Sequence, residues 1–418
     1  MSENKPLRIL RIIARLNVGG PARHVILLTE KFREKGWISE LVVGEVGKDE
    51  ASMEDMAFDR NIHPIKIDVL GREIHPVQDL LLVWKLFWLL RKLKPDIVHT
   101  HTAKAGGAGR AAAFLYRRLH LKGLWSPLPL QVYHTFHGHV LHGYFSPLKE
   151  WIFLQIERLL AKVSTNLITL SPSLREELAR LGVAPQERIR IVPLGIELEP
   201  YLGCEESVSG ESSLRAELGV DSDTPLVGII GRLVPIKDHS IFFRAAASLI
   251  KEFRNEKASM AHFVIVGGGE LLESLEAEVR ELGIEDRCHF AGWRSDLLLI
   301  YESLNLVALT SRNEGTPLSL IEAMAAACPI VATSVGGVPD LVGWNESGSE
   351  IPEGGFDELP VGALVRPGDK EGLSRAMKYL LEDGNRAVEM GRAGRNRVRE
   401  RYSINRLAND LEALYLKG

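Results

Sequence analysis

Residues 309–337 read LTSRNEGTPLSLIEAMAAACPIVATSVGG, and their order of polar, apolar and breaking residues sets the fold class. An apolar run over 304–309 leads in, with the length and composition of a buried parallel strand. A polar turn, 310–315, follows. Thr316 is predicted as a helix N-cap and Pro317 as the first helical residue, where the missing proline N–H costs nothing. Leu318, Ile321, Ala325 and Cys328 keep helical spacing, Pro329 stops the helix, and 330–332 begins another strand. The unit is strand, turn, helix, strand. In open α/β sheets, ligands bind at such turns, outside the carboxyl ends of the strands.

Two carboxylates bracket the turn. Glu314 lies just before the helix, and Glu322 lies within it, one turn beyond Leu318. Free N–H groups at a helix start attract an anion such as phosphate. A carboxylate on each side of that anion can hold hydroxyls, and a phosphate flanked by two polyols is a nucleotide sugar. The same spacing also fits a Glu314 that caps a turn and a Glu322 that is merely solvated. The stretch alone leaves both readings open.

The chain has 418 residues, which predicts two domains of roughly 200 residues each. Its 45% hydrophobic and 25% charged content is that of a globular protein. The three cysteines, Cys204, Cys288 and Cys328, form no C-x-x-C pair, which argues against a disulfide framework or a zinc site and fits a reducing cytoplasm. Arg11 and Arg15 interrupt the apolar run 9–16, so that run does not read as a signal peptide. The longest apolar stretch, 80–90, contains Lys85 and is too short to span a bilayer. The net charge of −4 conceals an asymmetry of +9 over residues 1–195 and −13 over the rest. A basic front half suits an anionic membrane, a lipid-diphosphate acceptor or an acidic glycan. No nucleic-acid motif accompanies the charge.

In the front half, a strand over 7–14 leads through Gly19 and Gly20 into a helix opening at Pro21. Strands are predicted at 39–45, 62–68 and 96–101, with a helix at 77–92 between the last two. That helix, apolar nearly all round with a basic end, suits burial against a sheet or docking on a membrane, and 114–125 adds basic and aromatic residues. The strand 130–136 delivers His134, His137 and His139 at its end, with His142 beyond. Gly138 ends the strand before His137 and His139 can share a face, and no acidic or cysteine ligand lies nearby, so a polar contact is favoured over a metal. A helix at 149–162, a strand at 166–170, a helix at 172–181 and a strand at 189–192 complete this half.

A Ser/Glu/Gly-rich passage, 196–213, reads as the linker between a domain of residues 1–195 and a domain of residues 214–400. A last helix within 401–418 is expected to return to the first domain. In the second half, the strand 225–230 ends in Gly231-Arg232-Leu233-Val234-Pro235-Ile236-Lys237. Arg232 offers paired planar donors and Lys237 a compact charge, a set able to hold a diphosphate, although a solvated loop has the same composition. The strand 263–266 runs into Gly267-Gly268-Gly269, and 288–291 into Gly292 and Trp293, where a base could stack or a turn could form. Asp221 and Asp223 match a D-x-D metal motif only superficially, since they precede a strand, and a surface turn is expected. The polar stretch 344–359 is predicted as an exposed loop, with closing helices at 372–381, 386–399 and 405–414.

Taken together, the Gly19-Gly20 loop, Thr135-Phe136-His137-Gly138, Pro193-Leu194-Gly195, the Arg232/Lys237 loop, the E-x7-E pair from Glu314 to Glu322, and Val335-Gly336-Gly337 resemble the bacterial-type retaining glycosyltransferases of family 4. The resemblance covers nearly the whole chain. It implies an α/β chain of the GT-B fold, two facing Rossmann-like domains with parallel sheets and an interdomain cleft. It also implies transfer of a sugar from a nucleotide diphosphate sugar, a UDP-sugar above all, to a glycan or lipid-linked acceptor. Carried over, Glu314 contacts the donor sugar and Glu322 the ribose, Arg232 and Lys237 hold the diphosphate, and His137 lies beside the transferred sugar. Gly19, Gly20, Gly292, Trp293, Gly315 and the helix start Thr316, Pro317, Leu318 and Ser319 complete the expected donor set. The resemblance implies no metal and no other cofactor. The cysteine content fits a place in the cytoplasm, and the basic front half fits contact at the inner membrane face. Gly268-Gly269-Glu270 departs from the family's Asp-Gly-Pro turn. A nucleotide-sugar epimerase and a nucleotide-binding protein without turnover are the rival readings.

Overall fold

The computed structural model describes residues 6–47, 50–71, 75–119, 128–138, 147–202, 214–253, 257–344 and 350–417. The chain divides into two compact units, Met1–Ile196 with Ile404–Gly418, and Glu197–Ser403.

The first unit is built on seven parallel strands: β1 (Arg8–Ile13), β2 (Ile38–Val43), β3 (Ile65–Lys66), β4 (Ile97–His101), β5 (Gln131–Phe136), β6 (Asn166–Thr169) and β7 (Ile189–Ile191). Their order across the sheet is β3-β2-β1-β4-β5-β6-β7. Both faces are covered, which is why β1, after Arg8 at its start, reads as an apolar run apart from Arg11. Ile9 and Ile13 pack under the helix Gly20–Glu34, while Leu10 and Ile12 pack under Pro76–Leu93 and Ala103–Arg118. The last helix, Ile404–Lys417, belongs to this unit, with Leu407, Leu411 and Tyr415 in one cluster with Leu27, Leu28 and Phe32.

The helix Ala103–Arg118 is not among the elements predicted from sequence, and its glycines weaken the helical signal. In the fold they allow close approach. A Cβ on Gly106 would lie 2.4 Å from His134 Cε1, and one on Gly109 would lie 2.6 Å from Thr100 Cγ2. Of the basic and aromatic region 114–125, residues 120–125 lie outside the described residues. The helix expected over 77–92 runs Pro76–Leu93 and is two-sided: Leu82, Leu86 and Leu90 are buried, whereas Val77, Leu80, Trp84 and Trp88 are exposed. Among the described residues, no helix is long and apolar enough to cross a membrane.

The second unit repeats the plan with β8 (Leu226–Ile230), β9 (His262–Val266), β10 (Cys288–Gly292), β11 (Leu306–Leu309), β12 (Ile330–Thr333), β13 (Asp357–Leu359) and β14 (Gly362–Val365). The order is β10-β9-β8-β11-β12-β14-β13, parallel except for the β13–β14 pair. The stretch 344–359 is thus not all loop. Asp357–Leu359 is an edge strand, and Trp344 Nε1 donates to Asp357 Oδ2 at 2.6 Å; residues 345–349 lie outside the described residues. Within the expected linker, Glu199–Leu202 is a short helix, and 203–213 lie outside the described residues.

Candidate functional site

In the second unit, β8 and β11 are hydrogen-bonded neighbours, with Leu306 opposite Val227 and Ala308 opposite Ile229. Parallel neighbours end side by side, so the loop 231–237 and the turn 310–317 meet although about 80 residues separate them in sequence. Arg312 N donates to Ile236 O at 2.9 Å and Thr310 Oγ1 to Lys237 O at 2.9 Å, and just past the loop Arg312 Nε donates to Asp238 Oδ2 at 2.7 Å. At the centre, Lys237 Nζ donates to Glu314 Oε1 at 2.5 Å, and Ser311 Oγ donates to the same oxygen at 2.6 Å. Two of the sequence-predicted residues are therefore in direct contact. Arg232 is exposed on the same loop and forms no ion pair with another described residue.

The helix after the turn is Leu318–Ala325, and its N-cap is Pro317, not Thr316. Pro317 holds the extended backbone a cap needs, at φ −72° and ψ 119°, and no side chain caps the helix. The first-turn N–H groups, next to half-buried Thr316 and Ser319, are therefore free of a competing side-chain acceptor. The helix also stops at Ala325, short of Cys328, because Ala327 turns left-handed at φ 56°.

Glu322 is not solvated. It is 3% exposed and accepts a hydrogen bond from the Tyr301 hydroxyl at 3.0 Å. Burial, reinforced by the Glu322 carboxylate, pushes the Tyr301 phenol well above its ordinary range, so it remains a donor. The sequence offered no sign of Tyr301. It lies in the helix Leu297–Ser303, and only the packing of that helix beside Leu318–Ala325 brings it to Glu322.

Glycines set the turn's close packing. A Cβ on Gly336 would fall 1.8 Å from Glu314 O, one on Gly337 would fall 2.2 Å from Gly315 O, and Gly337 N donates to Gly315 O at 3.0 Å. The Gly267–Gly269 run plays the same part beneath the Arg232 loop, where Leu233 N donates to Gly268 O at 3.0 Å and a Cβ on Gly269 would meet Leu233 O at 2.4 Å. Trp293, next to Gly292, lies against Gly268 with 56% of its surface exposed. Asp221 and Asp223 are exposed and sit in a turn closed by Thr224 N to Asp221 O.

In the first unit, β1 ends before Gly19 and Gly20, and the helix Gly20–Glu34 starts there. That helix carries His24 in its second turn. His101 ends β4, and His137 follows β5 directly. These three rings cluster, with centroids 5.4 Å apart for His24–His101, 4.9 Å for His24–His137 and 5.3 Å for His101–His137. The histidine group expected from sequence is therefore recomposed. His134 points to the other sheet face and bonds Thr100 Oγ1 at 2.9 Å, while His139 and His142 lie outside the described residues. The alternating His99 and His101 were the signal in the sequence for the missed members. His101 Nδ1 and His137 Nε2 share a hydrogen bond at 3.0 Å, and His99 is tied to Tyr415 at 2.5 Å and to Thr135 at 2.8 Å. Burial pushes His137 down to about 4 and lowers His24, His99 and His101 well below the usual imidazole range, so all four are neutral near pH 7.

Comparison with known proteins adds the following. The family described as Glycosyl transferases group 1 matches residues 211–397, and that described as Glycosyltransferase Family 4 matches residues 18–200. The chain is similar to the UDP-Gal:alpha-D-GlcNAc-diphosphoundecaprenol alpha-1,3-galactosyltransferase of Escherichia coli, 27% identical over 360 residues, 86% of this chain and 85% of that one. It is similar to the capsular polysaccharide biosynthesis glycosyltransferase CapM of Staphylococcus aureus, 25% identical over 353 residues, 83% of each chain. In fold it is similar to Anabaena HepE, solved in complex with UDP, with a TM-score of 0.76 at 20% identity over 99% of this chain and 100% of that one.

Proposed function

The chain belongs to glycosyltransferase family 4 and has the GT-B fold of a nucleotide-sugar-dependent enzyme, and on that premise we propose that it transfers a sugar from a UDP-sugar, with retention at the anomeric carbon, to a glycan or lipid-linked acceptor of cell-surface polysaccharide or glycolipid synthesis. The observation that carries this reading is the Lys237–Glu314 contact beside an uncapped helix start. An anion and a cation held together, next to free N–H groups, match a ligand whose diphosphate adjoins a sugar. The diphosphate lies against Lys237, Arg232 and the N–H groups of 318–320. The sugar hydroxyls reach Glu314, the ribose reaches Glu322, and the base stacks near Trp293. For the first unit, the family resemblance assigns His137 and the Gly19-Gly20 loop to the transferred sugar and the acceptor.

Charge grows on the leaving diphosphate as the glycosidic bond breaks, and the cations and helix start stabilise it most at that point. No metal is needed for this. The acceptor attacks the face the diphosphate leaves, and a diphosphate oxygen takes its proton. The uridine nucleotide is supported by the UDP complex of the structural neighbour, and the lipid-linked acceptor by the Escherichia coli relative.

An anionic membrane is the proposed place of work. Trp84 and Trp88 on Pro76–Leu93, Phe114 on Ala103–Arg118, and Trp151 on Pro147–Val163 are all exposed, on three successively packed helices. Arg91 lies over Trp88 and Arg118 over Phe114, an aromatic and basic mixture suited to lipid headgroups. Incubation with a panel of nucleotide sugars and lipid diphosphates tests the whole reading. Transfer from a UDP-sugar with an α-linked product supports it; an epimerised donor without acceptor, or binding without turnover, sinks it. Sedimentation without preference for anionic vesicles removes the membrane contact alone.

A further inference from the structure

We propose that His24, His101 and His137 form a binding site for one transition-metal ion of the Zn²⁺ class, and that its occupancy inhibits transfer by engaging His137. The second clause rests on the placement of His137 beside the transferred sugar; the first does not.

The geometry fits a three-histidine site. With a Zn–N distance of about 2.1 Å and about 1.1 Å from nitrogen to ring centre, three imidazoles on a tetrahedral ion have centroids about 5.2 Å apart. The observed triangle has sides of 5.4, 4.9 and 5.3 Å. One nitrogen from each ring already lies within 4.8 Å of the other two, against about 3.4 Å on a tetrahedral ion, so binding requires the rings to turn in place, not to rebuild the fold.

Two further observations point to a ligand. His24 Nδ1 and His101 Nε2 are buried without a hydrogen-bond partner among the described residues, on residues only 3% and 0% exposed. An unpartnered buried nitrogen is costly, and a metal ion would satisfy that of His24, while at His101 it would exchange one unmet nitrogen for the other. Burial also holds the three rings neutral, the form that ligates. The ligands are rigidly mounted on a helix, a central strand and the end of the adjoining strand. His137 is only partly buried.

Among the described residues, the charged groups acting on these rings are the guanidiniums of Arg11 and Arg406, alongside the neighbouring imidazole of His99, and no carboxylate. Two positive neighbours weaken binding relative to a site with a carboxylate behind its histidines. An ion held this way inhibits when present and is absent from the ordinary reaction. The His101–His137 hydrogen bond is exchanged for coordination, which draws His137 inward.

The experiment uses the full chain, freed of metal by chelation, and Co²⁺ as a visible probe. One Co²⁺ per chain with the absorption of a tetrahedral nitrogen site, displaced by Zn²⁺, is expected. His24→Gln and His101→Gln should each weaken Co²⁺ binding by about tenfold or more. His289→Gln, at the separate His262–His289 pair in the second unit, should leave it unchanged. The wild-type spectrum carries the test even if a variant misfolds. Absence of that spectrum, or its loss in His289→Gln but not in His24→Gln, overturns the site. Full Co²⁺ or Zn²⁺ occupancy with undiminished transfer overturns the inhibition and, with it, the placement of His137, while the site stands.

Discussion

Replacing Lys237 with methionine keeps the length of the side chain and removes its charge. In the structure, Lys237 Nζ lies 2.5 Å from Glu314 Oε1, with the two side chains 22% and 11% exposed. If Lys237 stabilises the leaving diphosphate, its loss removes one preorganised charge from the transition state. Such a loss costs about 10²–10³ in kcat, or about 3–4 kcal/mol. The folded state loses less. Glu314 keeps the Ser311 hydroxyl as donor, so the loss is that of one charge-assisted hydrogen bond, about 1.5–3 kcal/mol. At about 2–4 °C per kcal/mol for a unit of some 200 residues, Tm should fall by roughly 3–12 °C and leave the protein folded at assay temperature. Steady-state transfer at saturating donor, beside a thermal melt, separates the two effects. Lys237→Arg should recover part of kcat, since it restores the charge with different geometry. If kcat of Lys237→Met stays within about threefold of wild type while only the donor KM rises, the charge contributes equally to ground and transition states and the leaving-group role is refuted.

Gly336→Ala should impair donor binding and stability together, since its Cβ would meet Glu314 O at 1.8 Å from a backbone held at φ +53°; thermal melts with and without UDP report both. Tyr301→Phe strips a buried carboxylate of a donor, and a loss of about 1–3 kcal/mol in denaturant unfolding is expected, with weaker UDP binding. Stability should be flat above pH 6.5 and fall as pH drops from 6.5 toward 4. His24, His99, His101 and His137 are neutral when folded, so the unfolded chain takes up protons first, and each histidine contributes a slope of about 1.4 kcal/mol per pH unit in that window. Urea titrations at intervals between pH 8 and pH 5 would expose a flat profile, which refutes the burial of these imidazoles as neutral species.

Sequence periodicity was enough to identify the alternating strands and helices, the two-domain division of labour in charge, and the turn with its two glutamates. These are local or compositional properties: apolar runs that a doubly covered sheet requires, and a proline that stops or starts a helix. What it could not supply was adjacency. Lys237 touches Glu314 because β8 and β11 are neighbours in the sheet, although β9 and β10 separate them along the chain. The same limit hid Tyr301 behind Glu322, set His24 and His101 beside His137, and turned His134 to Thr100. The small residues of 103–118 misled for a related reason, since their value lies in what they allow to approach. For the turn over 309–337, the sequence settled which chemical groups are present, because a strand end and a helix start are written locally. Tertiary structure alone decided which were paired, which were buried, and that Pro317 rather than Thr316 opens the helix and leaves its first N–H groups uncapped.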